Sequence, residues 1–324
     1  TPRTPLEGPC EEAAAAAAAA APSFVLGSRN SQLALVQTEH VRARLLELHG
    51  RRLPDLRVPV VSMSTTGDRV LDVALSKIGD KGLFTKELEA ALAELKVDAV
   101  VHSLKDLPTT LPPGMAVAAV LEREDPCDAV VVKRGSPARS LDDLPDGAVL
   151  DDPDGPFSAI ILAYAGLHRL GWRDRATARL APEGSMHAVG QGALAVECRK
   201  DDARGIAFVA GLDHRPTRLR CLAERSVMRA LEGGCSVPIG VHTEWVEGGG
   251  EGGGGPATVK LRLRALVVSV DGADVVRAEG EQDLPEAATP EETDELANAL
   301  GVRVAADLLR QGADEILRPI KEKR

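Results

Sequence analysis

From Phe24 onward the sequence predicts an α/β fold followed by a smaller α+β module. Two observations carry that reading. Through the first two thirds of the chain, short β-branched runs alternate with amphipathic stretches of helical length, the pattern of a largely parallel sheet covered by helices. Past the Gly-rich run GGGEGGGG the pattern changes to the strict alternation TVKLRLRALVVSV, a turn at Asp271-Gly272 and one long helix, which makes a hairpin packed on a helix.

The elements follow in order. FVLGS is a first strand. SQLALVQTEHVRARLLELHG is a helix, with Leu33, Val36, Val41, Leu45 and Leu48 on one face and Gly50 as its stop. LRVPVVSM is a second strand, TKELEAALAEL a second helix and DAVVHS a third strand, a βαβαβ order that implies right-handed crossovers. Between the second strand and second helix, STTGDRVLDVALSKIGDKGLF is rich in Gly, Ser and charge, and so long a loop in a compact domain is functional or mobile. SAIILAYAGL and GALAVECR are further strands, RPTRLRCLAERSVMRALEGG is a long helix ended by Gly233, and a last helix spans about Pro290 to Gln311. Residues 1–23, with the alanine tract from Ala13 to Ala21, form a disordered low-complexity tail. The tract is too short for a membrane span and is flanked by Glu12 and Pro22.

Composition excludes several classes of function. The chain has 324 residues, 39 basic against 49 acidic, a net charge of −10 and 2% aromatics. Basic grooves and stacking platforms for nucleic acid are therefore absent from the expectation, and any anionic ligand is met by locally placed cations. Cys10, Cys127, Cys198, Cys221 and Cys235 are scattered, odd in number and form no C-x-x-C pair, which argues for reduced thiols rather than a disulfide framework or zinc site.

Ligands of open α/β sheets sit beyond the carboxyl ends of strands, and two short stretches stand there. In GSRNSQLA, Arg29 and Ser31 open a helix whose N-terminal N–H groups favour an anion. In VVHSLKDLP, Ser103, Lys105 and Asp106 follow a buried strand. Alone, either is an ordinary polar turn. Together they outline a cleft. Cys235, in LEGGCSVPIG, reads by itself first as a free thiol in a helix-stop turn and second as a nucleophile to which flanking glycines admit a bulky adduct.

The blocks STTGD, GLFTKELE, VDAVVHSLKDLPT, SAIILAYAGLHRLGW, AVGQGALAVECR and LEGGCSVPIGVH, in this order, resemble the porphobilinogen deaminase (hydroxymethylbilane synthase) family from Phe24 to about Leu317. The resemblance implies two lobes like those of periplasmic binding proteins and a third, α+β domain: residues 24–123 with 190–213, residues 124–189, and residues 214–324. It implies a transferase of tetrapyrrole and heme biosynthesis that joins four porphobilinogen molecules head to tail, losing ammonia at each step. Cys235 would hold the dipyrromethane cofactor through a thioether. Asp106 would be the catalytic carboxylate with Lys105 beside it, Ser103 would line the cofactor, and Arg29, Ser31, Arg169 and Gln191 would face the substrate. His102 is expected to be structural, because its side chain alternates away from its neighbours on the strand. A monomeric cytoplasmic enzyme is expected, without metal, nucleic acid or membrane partner; MSTTGD and HSLKDLPT look more like the animal cytosolic enzymes than the plastid ones.

One departure is large. After GAVL the family has a G-T-S-S-L-R-R turn and helix, another strand and R-G-N-x-x-T-R-L, whereas here Leu150 runs into Asp151, Asp152 and Pro153. About thirty residues are missing, enough for a helix, a strand and part of a second helix. With them go the serines and most arginines that would hold the carboxylates of cofactor and substrate. The second lobe is therefore expected to be truncated, with a marginal core, exposed edges and parallel strands short of neighbours. A catalytically silent or unstable chain is the competing expectation.

Overall fold

The computed structural model describes residues 22–69, 82–145, 148, 150, 158–231, 237–246 and 258–322. In chain order the strands are β1 Leu26–Arg29, β2 Val60–Met63, β3 Ala99–Ser103, β4 Met115–Val120, β5 Asp128–Val132, β6 Ala159–Ala163, β7 Ala178–Arg179, β8 Leu194–Arg199, β9 Ile239–Val246, β10 Thr258–Val268 and β11 Val275–Pro285. The helices are α1 Gln32–His49, α2 Thr66–Arg69, α3 Lys86–Ala93, α4 Tyr164–Arg169, α5 Ala203–Val209, α6 Arg215–Ala230, α7 Pro290–Arg310 and α8 Ala313–Lys321. Residues 1–21, 70–81 in the long loop, Gly233, Cys235, the Gly-rich run and the Asp151–Pro153 junction lie outside the described residues. Ser23, assigned to the tail from sequence, is paired with Arg57 alongside the first sheet.

That sheet has the order β2-β1-β3-β8-β4. β1 pairs in parallel with β2 and β3, while β8 is antiparallel to β3 and β4. The expected parallel sheet thus holds for the first three strands only. β8 brings the chain back from the second lobe, entering opposite Ser103 at the carboxyl end of β3, so it must run the other way.

Alternation along β3 builds two cores. Val101 joins Leu26, Val41, Leu45, Leu194, Val196 and Val209 under α1 and α5. Val100 joins Leu88, Leu92 and Val97 under α3. Leu45 and Leu88 are fully buried, each contributing on the order of 2 kcal/mol.

α1 is capped by Ser31, whose Oγ accepts from Ala34 N (3.4 Å). Its buried face is Ala34, Gln37, Thr38, Val41 and Leu45, rotated from the expected apolar stripe, and Val36 and Leu48 are exposed. The rotation follows from hydrogen bonding: Gln37 Nε2 donates to Ser103 Oγ (3.0 Å) and Thr38 Oγ1 to Ser28 Oγ (2.8 Å), so both polar chains are satisfied facing the sheet.

The second sheet has the order β6-β5-β7, and both pairings are antiparallel. The strands expected there as parallel are not neighbours. β6 and β7 run the same way, linked through α4, but β5, which carries the chain in from the first lobe, lies between them. The apolar run read as one long strand also breaks at Ala163, and Tyr164–Arg169 is helical. A short apolar run does not by itself distinguish strand from helix. None of the four hydrophobic clusters among the described residues includes any residue of 124–188, and Leu150 and Leu162 are exposed.

The third sheet, β11-β10-β9, is antiparallel, with β10 paired along its length to β11. Its inner face packs Leu261, Leu263 and Val267 against Leu219, Val227, Leu300, Val304 and Leu308 of α6 and α7. α7 starts with a capping box, Thr289 and Glu292 each bonding the other's backbone. The two helices touch backbone to backbone at Gly301, where an added Cβ would lie 2.2 Å from Ala223 O.

Candidate active site

Because β1 and β3 are parallel neighbours, Arg29 and Ser103 emerge at the same edge of the sheet. Arg29 does not stand free there. Its Nη2 meets Asp68 Oδ1 at 2.5 Å, its Nε lies 3.2 Å from the same oxygen, and its guanidinium stacks on Phe84 at 4.1 Å from the ring centroid. Asp68 also accepts from Thr65 N (3.1 Å) and Oγ1 (2.8 Å). Burial opposes ionisation of Asp68, but the hydrogen bonds from Arg29 and Thr65 outweigh it and hold the carboxyl below its ordinary range. Asp68 and Phe84 bracket the loop segment 70–81, so Arg29 is fixed by both ends of that loop.

Past Ser103 the chain makes one 3-10 turn, Leu104–Asp106. Its two polar residues have different surroundings. Lys105 Nζ donates to Gln191 Oε1 (3.1 Å). Asp106 is half-buried, and nothing among the described residues donates a hydrogen bond to its carboxylate.

Gln191 is buried and joins the two lobes. Besides accepting from Lys105, it donates through Nε2 to Pro126 O and Asp128 Oδ1, both at 2.8 Å. Asp128, at the start of β5, is pushed above its ordinary range by burial, partly offset by the Gln191 hydrogen bond and the Lys105 charge. The flanking glycines are required by the backbone: Gly192 has φ +84°, and a Cβ there would sit 2.5 Å from Glu124 O. Arg169 completes the group from α4, donating to Gly192 O (2.7 Å); burial lowers its pKa and Glu124 partly restores it.

The structure thus brings Ser103, Lys105, Asp106, Arg169 and Gln191 to the region where the lobes meet, with Arg29 and Ser31 at the neighbouring strand end. Cys235 lies outside the described residues, in the segment that follows α6. His102 is buried on the α3 side of β3, with Nε2 3.0 Å from Glu197 Oε2 on β8, in agreement with a structural role.

Sequence reasoning missed Gln37, Asp68 and Asp128, which orient predicted residues. It also missed Arg123 and Glu224, a buried pair joining the crossing segment to α6 at 2.6 and 3.0 Å. No local signal marks Glu224, since a buried carboxylate looks like a surface one in sequence.

Family models match nearly the whole described chain: "Porphobilinogen deaminase, dipyromethane cofactor binding domain" over residues 24–153 and 150–207, and "Porphobilinogen deaminase, C-terminal domain" over residues 218–310. The chain belongs to the porphobilinogen deaminase family. The first model matches in two pieces that meet at residues 150–153, the point at which the sequence departs from the family pattern. The porphobilinogen deaminase of Gloeobacter violaceus is 46% identical over 330 residues, covering 91% of this chain and 93% of that protein. Those of Nostoc sp. and Synechococcus sp. (strain RCC307) are 45% and 44% identical, covering 91% and 93% of this chain and 94% and 97% of theirs. These relatives are cyanobacterial and lend no support to the animal-like reading of MSTTGD and HSLKDLPT.

Proposed function

We propose that the catalytic centre of this chain is the strand-end group around Asp106, with dipyrromethane attached at Cys235. By family the chain is a transferase of tetrapyrrole biosynthesis, a hydroxymethylbilane synthase that carries covalent dipyrromethane and condenses four porphobilinogen molecules with release of ammonia. The observation that carries the site reading is the state of Asp106: a half-buried carboxylate, acceptor only, to which no described residue donates, on a turn held rigidly at the end of β3. Pyrrole N–H groups are the donors such a carboxylate lacks.

The residues present fit the cofactor's two kinds of polar group. Its pyrrole N–H groups suit Asp106, and its acidic side chains suit Lys105 and Ser103, with Arg29, Arg169 and the N-terminus of α1 at Ser31 toward the incoming substrate and Gln191, buried, acting through Lys105. When bound, dipyrromethane supplies the covalent anchor and nucleophilic carbon on which the product is built. Asp106, fixed on the turn at the end of β3, would stabilise positive charge on a bound pyrrole. Gln191 accepts from Lys105 and so fixes its ammonium group.

A second reading is favoured by the second lobe. Among the described residues it has three strands and no hydrophobic cluster, and Arg29 and Arg169 are already engaged by Asp68 and Gly192 O. In this reading the chain as it stands has the catalytic turn but too few cations to load the cofactor. Intact mass of the purified protein separates the two: a dipyrromethane adduct mapped to Cys235 supports a working enzyme, and an unmodified thiol supports a silent one.

The boundaries 24–123 with 190–213, 124–189 and 214–324 are proposed as the three domains, in keeping with the three separate sheets. A monomer in the cytoplasm is proposed as its state and place. Cys127, Cys198 and Cys221 are free thiols, as a reducing compartment requires, and no helix among the described residues is long and apolar enough to cross a membrane. Cell fractionation and light scattering test these two points.

A further inference from the structure

The turn that carries Asp106 has a second tether, which comes from the third domain. Arg225, on α6, is buried with 7% of its surface exposed. Its guanidinium reaches the backbone of the catalytic turn at three places: Nη1 donates to Leu107 O (3.1 Å) and lies 3.5 Å from Leu104 O, and Nη2 donates to Pro108 O (2.6 Å). One helical turn further on, Arg229 Nη2 approaches Thr109 O (3.4 Å). Two arginines spaced i, i+4 therefore face the carbonyls of residues 104–109 from the same side of α6.

The geometry suits arginine specifically. A 3-10 turn leaves its last carbonyls without partners in the turn; here those of Leu107 and Pro108 converge on one planar cation, which also lies near Leu104 O, the acceptor of the turn's own bond from Leu107 N (3.2 Å). A planar guanidinium presents donors in a fixed fork, so it can hold several carbonyls at set distances; an ammonium on a flexible stem is a single mobile point. Leu104 N is held separately by Ala193 O (3.0 Å), so the turn is clamped from the sheet on one side and from α6 on the other.

We propose that Arg225 is the positioning residue for Asp106: it locks the turn bearing the carboxylate to α6 of the third domain. This rests on the proposed roles of Asp106 and Cys235. Arg225 touches neither substrate nor cofactor in this scheme. Its contribution is to convert the lodging of α6 into the placement of a group 119 residues earlier in the chain, a distance the chain numbering makes plain.

The test uses the full chain with Arg225→Lys and Arg225→Gln, the lysine variant guarding against misfolding of the glutamine one. Hydrogen–deuterium exchange by mass spectrometry should show amides of residues 103–109 exchanging about tenfold faster, with those of α6 and β8 unchanged and lysine milder than glutamine. Unchanged exchange in the turn, or equal acceleration across α6 and β8, would overturn the proposal. In a chain with the missing segment restored, both variants should keep the adduct on Cys235, while kcat falls on the order of 100-fold and KM changes less than about threefold. A loss confined to KM, or kcat unchanged, would also overturn it. Failure of the underlying site reading looks different: Asp106→Asn would then turn over normally or no version would carry the adduct, while the exchange experiment would still decide whether Arg225 holds the turn.

Discussion

Arg123 and Glu224, 101 residues apart in sequence, form a doubly hydrogen-bonded ion pair with Nη1–Oε1 at 2.6 Å and Nη2–Oε2 at 3.0 Å, and both side chains are sealed from water. Glu224 accepts two more bonds, from Gly190 N (2.9 Å) and Thr243 Oγ1 (2.6 Å). A buried ion is tolerated only when its partners are complete. Glu224→Gln leaves Arg123 as an uncompensated charge and should cost about 3–5 kcal/mol in denaturant unfolding. The double change Arg123→Met with Glu224→Leu should cost much less. Equal losses in the two proteins would show that the pair is not the source.

The same network sets an acid limit. Burial depresses His187 to about 4 from 6.5, keeping the imidazole neutral in the fold. The unfolded chain takes up that proton first, so this part of the stability is complete above pH 6.5 and is lost as pH falls toward 4. Burial opposes ionisation of Glu224, but the Arg123 charge wins and the carboxyl lies at about 2, so its contribution is complete above 4.5 and is lost between there and 2. Unfolding midpoints should therefore fall in two stages below pH 6.5. His187→Gln should flatten the upper stage and leave the lower; a variant with the wild-type profile would remove His187 from this account.

Two substitutions in a chain with the missing segment restored test the chemistry. Asp106→Asn should keep the fold and part of the adduct while turnover drops by orders of magnitude, because a neutral amide does not offset developing positive charge. Cys235→Ser should fold but carry neither adduct nor activity, since serine is the poorer nucleophile at neutral pH. Dipyrromethane found on Cys198 or Cys221 instead would show that the wrong thiol was assigned. Both of those are buried, with pKa values pushed up to about 12 and about 11, which makes them poor competitors.

Leu95 ends α3 in the left-handed region, φ +58°, with 73% of its surface exposed. Lys96 N donates to Ala91 O (2.9 Å), closing the helix end in the manner that glycine usually serves. Leu95→Gly should stabilise the protein by about 0.5–1 kcal/mol, read as a higher denaturant midpoint. A lower midpoint would show that the left-handed conformation at Leu95 carries no strain for glycine to relieve.

If the second reading holds, the chain as it stands should be poorly stable and carry an unmodified Cys235. Hydroxymethylbilane brings eight carboxylates to a protein of net charge −10, and each uncompensated charge pair costs on the order of 1 kcal/mol in a partly desolvated cleft. Thermal unfolding and intact mass check this, and restoring the segment should raise the first and add the adduct to the second. A cooperative transition together with porphobilinogen consumption by the present chain would reverse the conclusion.

What could be read in sequence was what repeats or punctuates. The first three strands, α1, α3, α7 and the β10–β11 hairpin carry periodicity, a cap or a turn signal, and they appear within a few residues of expectation. The direction of β8 was not legible, because strand polarity depends on the path of the chain rather than on local pattern. The buried polar residues were equally hidden: Gln37, Glu224 and Arg225 lie inside only because a partner distant in sequence completes each one. The site was legible to the extent that strand ends and short polar runs mark it, and its supports were not.

Glu224 has a mechanical consequence. One oxygen pair holds Arg123 on the segment entering the second lobe and Gly190 on the segment leaving it, and α6 and Thr243 anchor that carboxylate to the third domain. Both strands of the waist are thus pinned to a single fulcrum. Any relative rotation of the two lobes about that pivot would displace their outer rims most and the turn bearing Asp106 least.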